Sequence, residues 1–410
     1  MNKIIRLIAV ALFASAFSAC SGSKPVNIPD ALRGAWSGEI EKFGLALTLH
    51  IGDTCSVDSP DQGAYGLKAE IKSVSEERLK VKFPEFHASL DASVRGDSLI
   101  GAFSQMGVKS PIRMGRGTIV RNRPQTPVPP FPYETEDVRF HNGDISLAGT
   151  LCLPDGTEAT AVVMVSGSGQ QDRDETLMDH KPFAVLADAF ARAGIASLRY
   201  DDRGSGGSDG VFADAVTADF AADAAAAVRF LRQRGYHKVG VVGHSEGGTI
   251  AFMLAGAETP GEGTPDFIVS LAGMADRGDS TLIRQTAKML ELNGAPESIA
   301  EFAAKKAYKK TVKMGGKWME AFVALDPAPY ISRIKCPVLA LNGSKDSQVI
   351  PEFNLSKVEA LCPSADCRLY DGLNHLFQHC DTGLSTEYAK IEETFSEEVI
   401  SDIVSWIQNL

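Results

Sequence analysis

The stretch Val239-Gly-Val-Val-Gly-His-Ser-Glu-Gly-Gly-Thr249 decides the fold. Its β-branched start predicts a buried strand, and a helical pattern opens after Gly-His-Ser-Glu-Gly. A serine flanked by glycines at a strand-to-helix turn is typical of a nucleophile elbow, because a Cβ at either flanking position would clash. Ser245 is therefore the first candidate catalytic residue. The alternative is a glycine-rich loop that only turns a corner.

A serine nucleophile needs a base, and the candidates are few. In the fold that uses this elbow, the acid and then the histidine follow the serine along the chain. Of the 8 histidines, only His375 and His379 lie beyond Ser245. His375 follows a strand-like segment, at the edge where α/β sheets place their chemistry. We expect His379, about one helical turn further along the chain, to have a structural role, in packing or in capping.

Asp346 is the candidate acid, at the tip of a turn that ends the buried-type strand beginning at Pro337. The alternative is a turn-forming aspartate, for which Ser-Lys-Asp-Ser is well suited. Ser245, Asp346 and His375 together predict a triad. In it the histidine carries the proton and the aspartate orients the imidazole. This chemistry requires neither metal nor cofactor.

An oxyanion needs backbone N–H donors. The residue after the nucleophile supplies one through its amide, which assigns Glu246. We place the second at Ser168, with Gln170 as the next candidate, in the glycine-rich loop 166–174 after the apolar strand 161–165. A phosphate-binding loop is the alternative, but the P-loop lysine and the G-x-G-x-x-G spacing are missing.

Four motifs carry a family resemblance: the loop 166–174, Arg-Tyr-Asp-Asp-Arg-Gly-Ser-Gly-Gly-Ser at 199–208, Gly-His-Ser-Glu-Gly-Gly at 243–248, and Leu-Asn-His-Leu-Phe-Gln at 373–378. Together they resemble bacterial serine esterases of the α/β-hydrolase superfamily, grouped with the serine aminopeptidase-like hydrolases. The resemblance covers about residues 133–410. It implies hydrolysis of carboxylic esters with short or medium acyl groups, without a cofactor. Many relatives carry His-Gly where this chain has Ser166-Gly167.

Two arginines follow the predicted active-site strands, each beside acidic residues. Arg173 and Arg203 are interpreted as loop braces paired with those acids. Binding of a substrate carboxylate or phosphate is the alternative.

Composition places the chain among ordinary globular proteins, with 410 residues, 44% hydrophobic and 23% charged. Its net charge of -11 argues against a nucleic-acid surface and makes an anionic membrane an unfavourable electrostatic partner.

The first 20 residues have the pattern of a cleaved secretory signal: basic Lys3 and Arg6, then the apolar stretch 7–17. Small residues before Cys20 resemble a bacterial lipobox, which implies lipidation of Cys20. The expected location is the cell envelope, with the membrane as partner through the lipid anchor. Ordinary secretion is the alternative.

Six cysteines remain besides Cys20, an even number that permits disulfides in an oxidising compartment. One bridge among Cys362, Cys367 and Cys380 is one reading, and free buried thiols are the other. None has zinc-ligand spacing, so we predict no metal site.

Residues 31–121 alternate in hydropathy, with strand-like segments at 45–51, 79–83 and 118–120. They predict a small all-β domain, a sandwich or open barrel, with Trp36 in its core. Glycan binding is the minority hypothesis. Five prolines at 124–132 predict a stiff linker over 122–132.

Residues 133–410 predict the catalytic domain. A hairpin around Asn142-Gly143 precedes alternating strands and helices, which indicate a mainly parallel sheet covered on both faces. From about 275 to 334 the alternation stops, and helical patterns predict a cap above the nucleophile. The sequence thus favours an α/β-hydrolase acting on a small-molecule or acylated-glycan ester. A peptidase or amidase with the same triad, and a glycan-binding envelope protein without activity, are the alternatives.

Overall fold

The computed structural model describes residues 27–41, 45–59, 64–105, 107–154 and 160–410. The predicted leader and Cys20 lie outside these residues. The described part of the chain divides into two compact units, one of its residues up to 122 with 177–179, the other of its residues from 123 to 176 and from 180 to 410. Each unit has its own hydrophobic core.

The first unit is an antiparallel sheet built from alternating sequence. Within the described residues its strands are β1 Gly34–Ile40, β2 Leu45–Ile51, β3 Ser56–Ser59, β4 Ala64–Lys68, β5 Glu70–Val74, β6 Arg78–Phe83, β7 Ala88–Arg95, β8 Ser98–Gln105 and β9 Val108–Arg116. Their order is β4-β3-β2-β1-β9-β8-β7-β6-β5. Every inward residue of a strand such as β6 is buried, while its neighbours face outward.

Trp36 lies at the centre of this core, as predicted. Its side chain is fully buried and its indole N–H donates to the Leu32 carbonyl at 2.8 Å. A ring in that position has no face free to stack on a sugar.

The strand predicted at 118–120 is wrong. Strand β9 ends at Arg116, and Gly117 then takes a φ of 97° that breaks the extended backbone. Val120 is 87% exposed, so its side chain does not pack into the core.

The second unit contains a mixed sheet in the part of the chain that is described. Its strands are β10 Glu134–Asn142, β11 Ile145–Leu153, β12 Thr160–Val165, β13 Ala196–Tyr200, β14 Lys238–His244, β15 Phe267–Leu271, β16 Val338–Gly343 and β17 Asp366–Tyr370. They lie in the order β10-β11-β13-β12-β14-β15-β16-β17. Strand β11 pairs antiparallel with both of its neighbours, β10 and β13. The remaining strands, in the order β13-β12-β14-β15-β16-β17, pair parallel.

Helices cover both faces of this sheet. They are α1 Pro182–Arg192, α2 Thr217–Gln233, α3 Glu246–Ala255, α4 Gly278–Leu292, α5 Glu297–Met314, α6 Gly316–Ala324, α7 Ala328–Ile331, α8 Pro351–Leu361 and α9 Glu397–Gln408. Successive residues of β12 belong to different cores: Val163 packs with one and Val162 with the other. The prediction of an all-β region followed by an α/β sheet is confirmed.

Helices α4 to α7 occupy the interval between β15 and β16, where the sequence predicts a cap. Among the described residues, no helix is both long enough and apolar enough to cross a bilayer.

Candidate active site

Ser245 occupies the turn between β14 and α3. Its φ is 54° and its ψ is -115°, a conformation that costs a non-glycine residue free energy. Its amide donates to the Leu271 carbonyl of β15 at 2.8 Å. A Cβ at Gly243 would overlap the backbone of Gly247, and one at Gly247 would overlap the backbone of Val165. The two glycines therefore permit the tight turn that presents the serine.

Asp346 and His375 lie together after β16 and β17. The His375 Nδ1 to Asp346 Oδ2 distance is 2.7 Å, and both residues are buried. The carboxylate also accepts the amides of Gln348 at 2.8 Å and Val349 at 2.9 Å. This arrangement fixes the acid and orients the imidazole, so that Nε2 is the nitrogen left for proton transfer.

The loop that carries His375 is closed by its neighbour Asn374, which accepts hydrogen bonds from the amides of Leu376 and Gln378. His379 is exposed, and its Nδ1 lies 2.9 Å from Glu393 Oε2. This geometry agrees with the choice of His375 over His379.

His244 links the turn that carries Ser245 to the loop that carries His375. Its Nε2 lies 2.9 Å from the backbone oxygen of His375, and the two ring centroids are 4.8 Å apart. Because His244 directly precedes Ser245, this bond brings the serine's turn and His375 together. Sequence reasoning did not single out His244.

Glu175 completes a second histidine–carboxylate pair. Its Oε1 lies 2.8 Å from His244 Nδ1 and accepts the Gly167 amide at 2.6 Å. Burial disfavours protonation of His244, but the Glu175 carboxylate outweighs it and leaves the pKa of His244 raised. Glu175 itself is 4% exposed and has a φ of 52°. Its role has no local sequence signal, since it ends an acidic loop 69 residues before its partner.

The two residues predicted as oxyanion donors, Glu246 and Ser168, lie at the start of α3 and in the loop after β12. Glu246 is the first residue of α3, where helix N–H groups lack intrahelical partners. The Gly167 amide is taken by Glu175, whereas the Ser168 and Glu246 amides have no protein acceptor among the described residues. Gln170 instead donates its side-chain amide to the Gly204 carbonyl at 2.6 Å.

The Glu246 side chain joins three elements. Its Oε1 accepts Thr217 Oγ1 at 2.6 Å and the Trp318 indole N–H at 3.0 Å, and Ser168 also hydrogen-bonds the carboxylate. Burial raises its pKa. The residue predicted to act through its amide thus also connects helix α6 to the loop 166–174.

The two arginines brace loops, as predicted. Arg173 Nη2 lies 2.7 Å from Asp201 Oδ2, and Arg203 binds Asp223 through two 2.7 Å contacts. Neither guanidinium is left unpaired for a substrate anion.

The cysteines at 55, 152, 336, 362, 367 and 380 are free thiols. Burial raises the pKa of both Cys336 and Cys367 to about 11. No group of three or more His, Cys, Asp or Glu side chains in the described chain could hold a metal ion.

Part of the chain is similar to known proteins. The family model described as "Serine aminopeptidase, S33" matches residues 179–379. Esterase EstD of Thermotoga maritima is 28% identical over 295 residues, 68% of this chain and 69% of that protein. These matches confirm the predicted resemblance to serine hydrolases with the α/β-hydrolase fold.

Two solved structures illustrate the similarity. An esterase from Pyrococcus furiosus has a TM-score of 0.47 and 19% identity, covering 72% of this chain and 99% of its own. A proline iminopeptidase from Mycobacterium smegmatis has a TM-score of 0.46 and 14% identity, covering 67% of this chain and 98% of its own.

Proposed function

We propose that this chain is an α/β-hydrolase that cleaves carboxylic esters with short or medium acyl groups through an acyl-enzyme formed on Ser245. One arrangement of three residues carries the proposal. Ser245 has a strained backbone, and the preceding residue, His244, contacts the backbone oxygen of His375. His375 in turn forms a hydrogen bond with Asp346. The match to Esterase EstD supports an ester substrate.

In the first half of the reaction, Ser245 Oγ attacks the ester carbonyl carbon while His375 Nε2 takes the hydroxyl proton. Asp346 accepts the Nδ1–H and stabilises the imidazolium that forms. Collapse of the tetrahedral intermediate breaks the carbon–oxygen bond of the ester. The alcohol leaves with the proton from His375.

In the second half, His375 Nε2 takes a proton from water while the water oxygen attacks the acyl carbon. Collapse of this second intermediate breaks the bond between Ser245 Oγ and the acyl carbon, and His375 returns the proton to Oγ as the carboxylic acid leaves. Both tetrahedral intermediates carry an oxyanion. The amides of Glu246 and Ser168 are the donors that we assign to it, each expected to lower the barrier by about 3 kcal/mol.

A fluorophosphonate probe tests the nucleophile. We expect mass mapping to find the label on Ser245 of the wild type, and Ser245→Ala to abolish both labelling and turnover of a short acyl ester. Competition by a series of acyl chain lengths then ranks the preferred substrate. Labelling at another serine, or full turnover by Ser245→Ala, would overturn the proposal. Loss of turnover without loss of folding also separates an enzyme from a glycan-binding protein.

A peptidase or amidase is the second candidate, favoured by the serine aminopeptidase description of the matching family. Comparing kcat/KM for an ester and its matching amide with the same acyl group separates the two. We expect the ester to be the better substrate by far more than its intrinsic reactivity explains. An amide turned over as fast as the ester would favour the peptidase.

We also propose that the chain is a lipid-anchored envelope protein, based on the basic, apolar and small residues that precede Cys20. Metabolic labelling with palmitate in a bacterial host tests this. We expect label in the wild type and none in Cys20→Ala, with release of that variant from the membrane fraction. Equal labelling of both chains would refute lipidation at Cys20.

A further inference from the structure

In the first two turns of helix α5, in the inserted region, alanines face inward and larger apolar residues face outward. Ala300 and Ala304 are buried and pack against Ile283, Leu290 and Ala295. The side chains at 299, 302, 306, 309 and 313 repeat at spacings of three and four residues, so they share one helix face. We name this set the α5 outer face. Ile299 and Phe302 on this face depart from the usual pattern of a surface helix, whose large apolar residues face the core.

The apolar part of the α5 outer face is strongly exposed. Phe302 is 68% exposed and Ile299 is 58% exposed. By contrast Phe353, another exposed phenylalanine, lies under the Arg284 guanidinium at 3.8 Å. Exposed aromatic and branched side chains on one helix face mark an interaction surface.

The rest of the α5 outer face is basic. Lys306, Lys309 and Lys313 are exposed, and none has an ion-pair partner among the residues that the structure describes. Lys305, just beside them, is paired with Glu301 at 2.6 Å. The helix carries five lysines against two glutamates, while the whole chain has a net charge of -11. This helix therefore carries a net positive charge within an acidic protein.

We propose that the α5 outer face docks on an anionic phospholipid surface. Lysines beside exposed aromatic and aliphatic residues are the chemistry of helices that lie in the membrane interface, where the cations meet headgroup phosphates and the apolar side chains enter the acyl boundary. An anionic polysaccharide would engage the lysines and leave Phe302 and Ile299 unused. The charge of this helix is opposite in sign to the net charge of the chain, from which an anionic membrane is expected to be an unfavourable partner.

The test uses the full chain with Phe302→Trp, whose fluorescence reports contact at this one position even if the leader also binds lipid. Difference spectra against the chain without that substitution remove the other tryptophans. We expect a blue shift with vesicles of phosphatidylcholine and phosphatidylglycerol, quenching by brominated acyl chains, and no shift with phosphatidylcholine alone. Added salt should weaken the binding.

Charge reversal then locates the surface. In the same background, combined Lys306→Glu, Lys309→Glu and Lys313→Glu should lower the affinity on the order of a hundredfold, since each lysine near an anionic bilayer contributes about 1 kcal/mol. The matched control reverses three exposed lysines elsewhere, Lys82, Lys109 and Lys335, and should keep most of the affinity. Ile299→Ser, which leaves all charges in place, should weaken binding about tenfold. Turnover of a short soluble ester and thermal melting confirm that each variant is folded.

Several results would overturn the proposal. They are the absence of a shift with anionic vesicles, an equal shift with phosphatidylcholine alone, and an equal loss in the control variant, which would mean that only net charge matters. A shift caused by soluble heparin but not by vesicles would assign the surface to a polysaccharide instead.

Discussion

Two histidine–carboxylate pairs lie side by side in this protein, and they differ in one respect. His375 gives Nδ1 to Asp346 at 2.7 Å, and its Nε2 has no partner among the described residues. His244 has both nitrogens engaged, one by Glu175 and one by the His375 backbone oxygen. A ring with a free nitrogen can move a proton, whereas a ring bonded on both sides can only hold its neighbours in place. We therefore expect the His375–Asp346 pair to transfer a proton and the His244–Glu175 pair to hold the surrounding loops in position.

The largest expected effect separates the two histidines. His375→Gln should lower kcat about 10⁴-fold or more, because the base is lost. His244→Gln should lower it only about 10- to 100-fold, because the serine's turn and the histidine loop shift relative to each other. Steady-state kinetics on a soluble short-chain ester measures both. Equal losses would mean that His244 takes part in the proton transfer.

Substitution of the two carboxylates, Asp346 and Glu175, should lower kcat to different extents, with the larger loss at Asp346. Asp346→Asn removes the group that orients His375 and is expected to cost about 10⁴-fold in kcat. Glu175→Gln keeps an acceptor for the Gly167 amide, and its cost should stay within about 10- to 100-fold. KM should change little in Asp346→Asn. A loss in Glu175→Gln as large as that in Asp346→Asn would contradict a positioning role.

The smallest expected effect is the change in the free energy of unfolding caused by His244→Gln, which depends on pH. The folded pKa of His244 is raised above its ordinary value of 6.5. A raised histidine pKa stabilises the folded state fully below pH 6.5, and this stabilisation is lost as pH rises through the folded pKa. His244→Gln should therefore be destabilised most at low pH, on the order of 2 kcal/mol, with the difference from wild type shrinking as pH rises.

Denaturant unfolding at several pH values measures that difference. The exposed His379→Gln is the matched control and should track the wild type closely. A gap that widens with rising pH would show that the sign of the His244 shift is wrong.

Sequence reasoning found the first pair because its signals are local. Ser245 lies in a turn bounded by glycines, after a run of β-branched residues. Asp346 and His375 each follow a segment whose apolar residues predict a strand. Parallel strands bring their carboxyl ends to one edge, so chain order was enough to associate them. Whether Asp346 only formed a turn was decided by the 2.7 Å contact.

The second pair could not be found this way. Glu175 sits in an irregular loop at a positive φ, and nothing in its neighbourhood indicates that its partner lies 69 residues further on. The side chain of Glu246 was missed for a related reason, since its partner Trp318 comes from the inserted helices, whose packing has no sequence pattern. Long-range polar contacts depend on tertiary packing rather than on periodicity.

The backbone of Ser245 has a consequence for how easily this protein could lose its activity. A left-handed conformation at a residue with a Cβ costs about 1–3 kcal/mol, which the surrounding turn must offset. Ser245→Gly would relieve that cost and remove the hydroxyl together, so the inactive protein should melt at a higher temperature than the active one. Mutation at this codon is then favoured by stability and opposed only by selection for turnover.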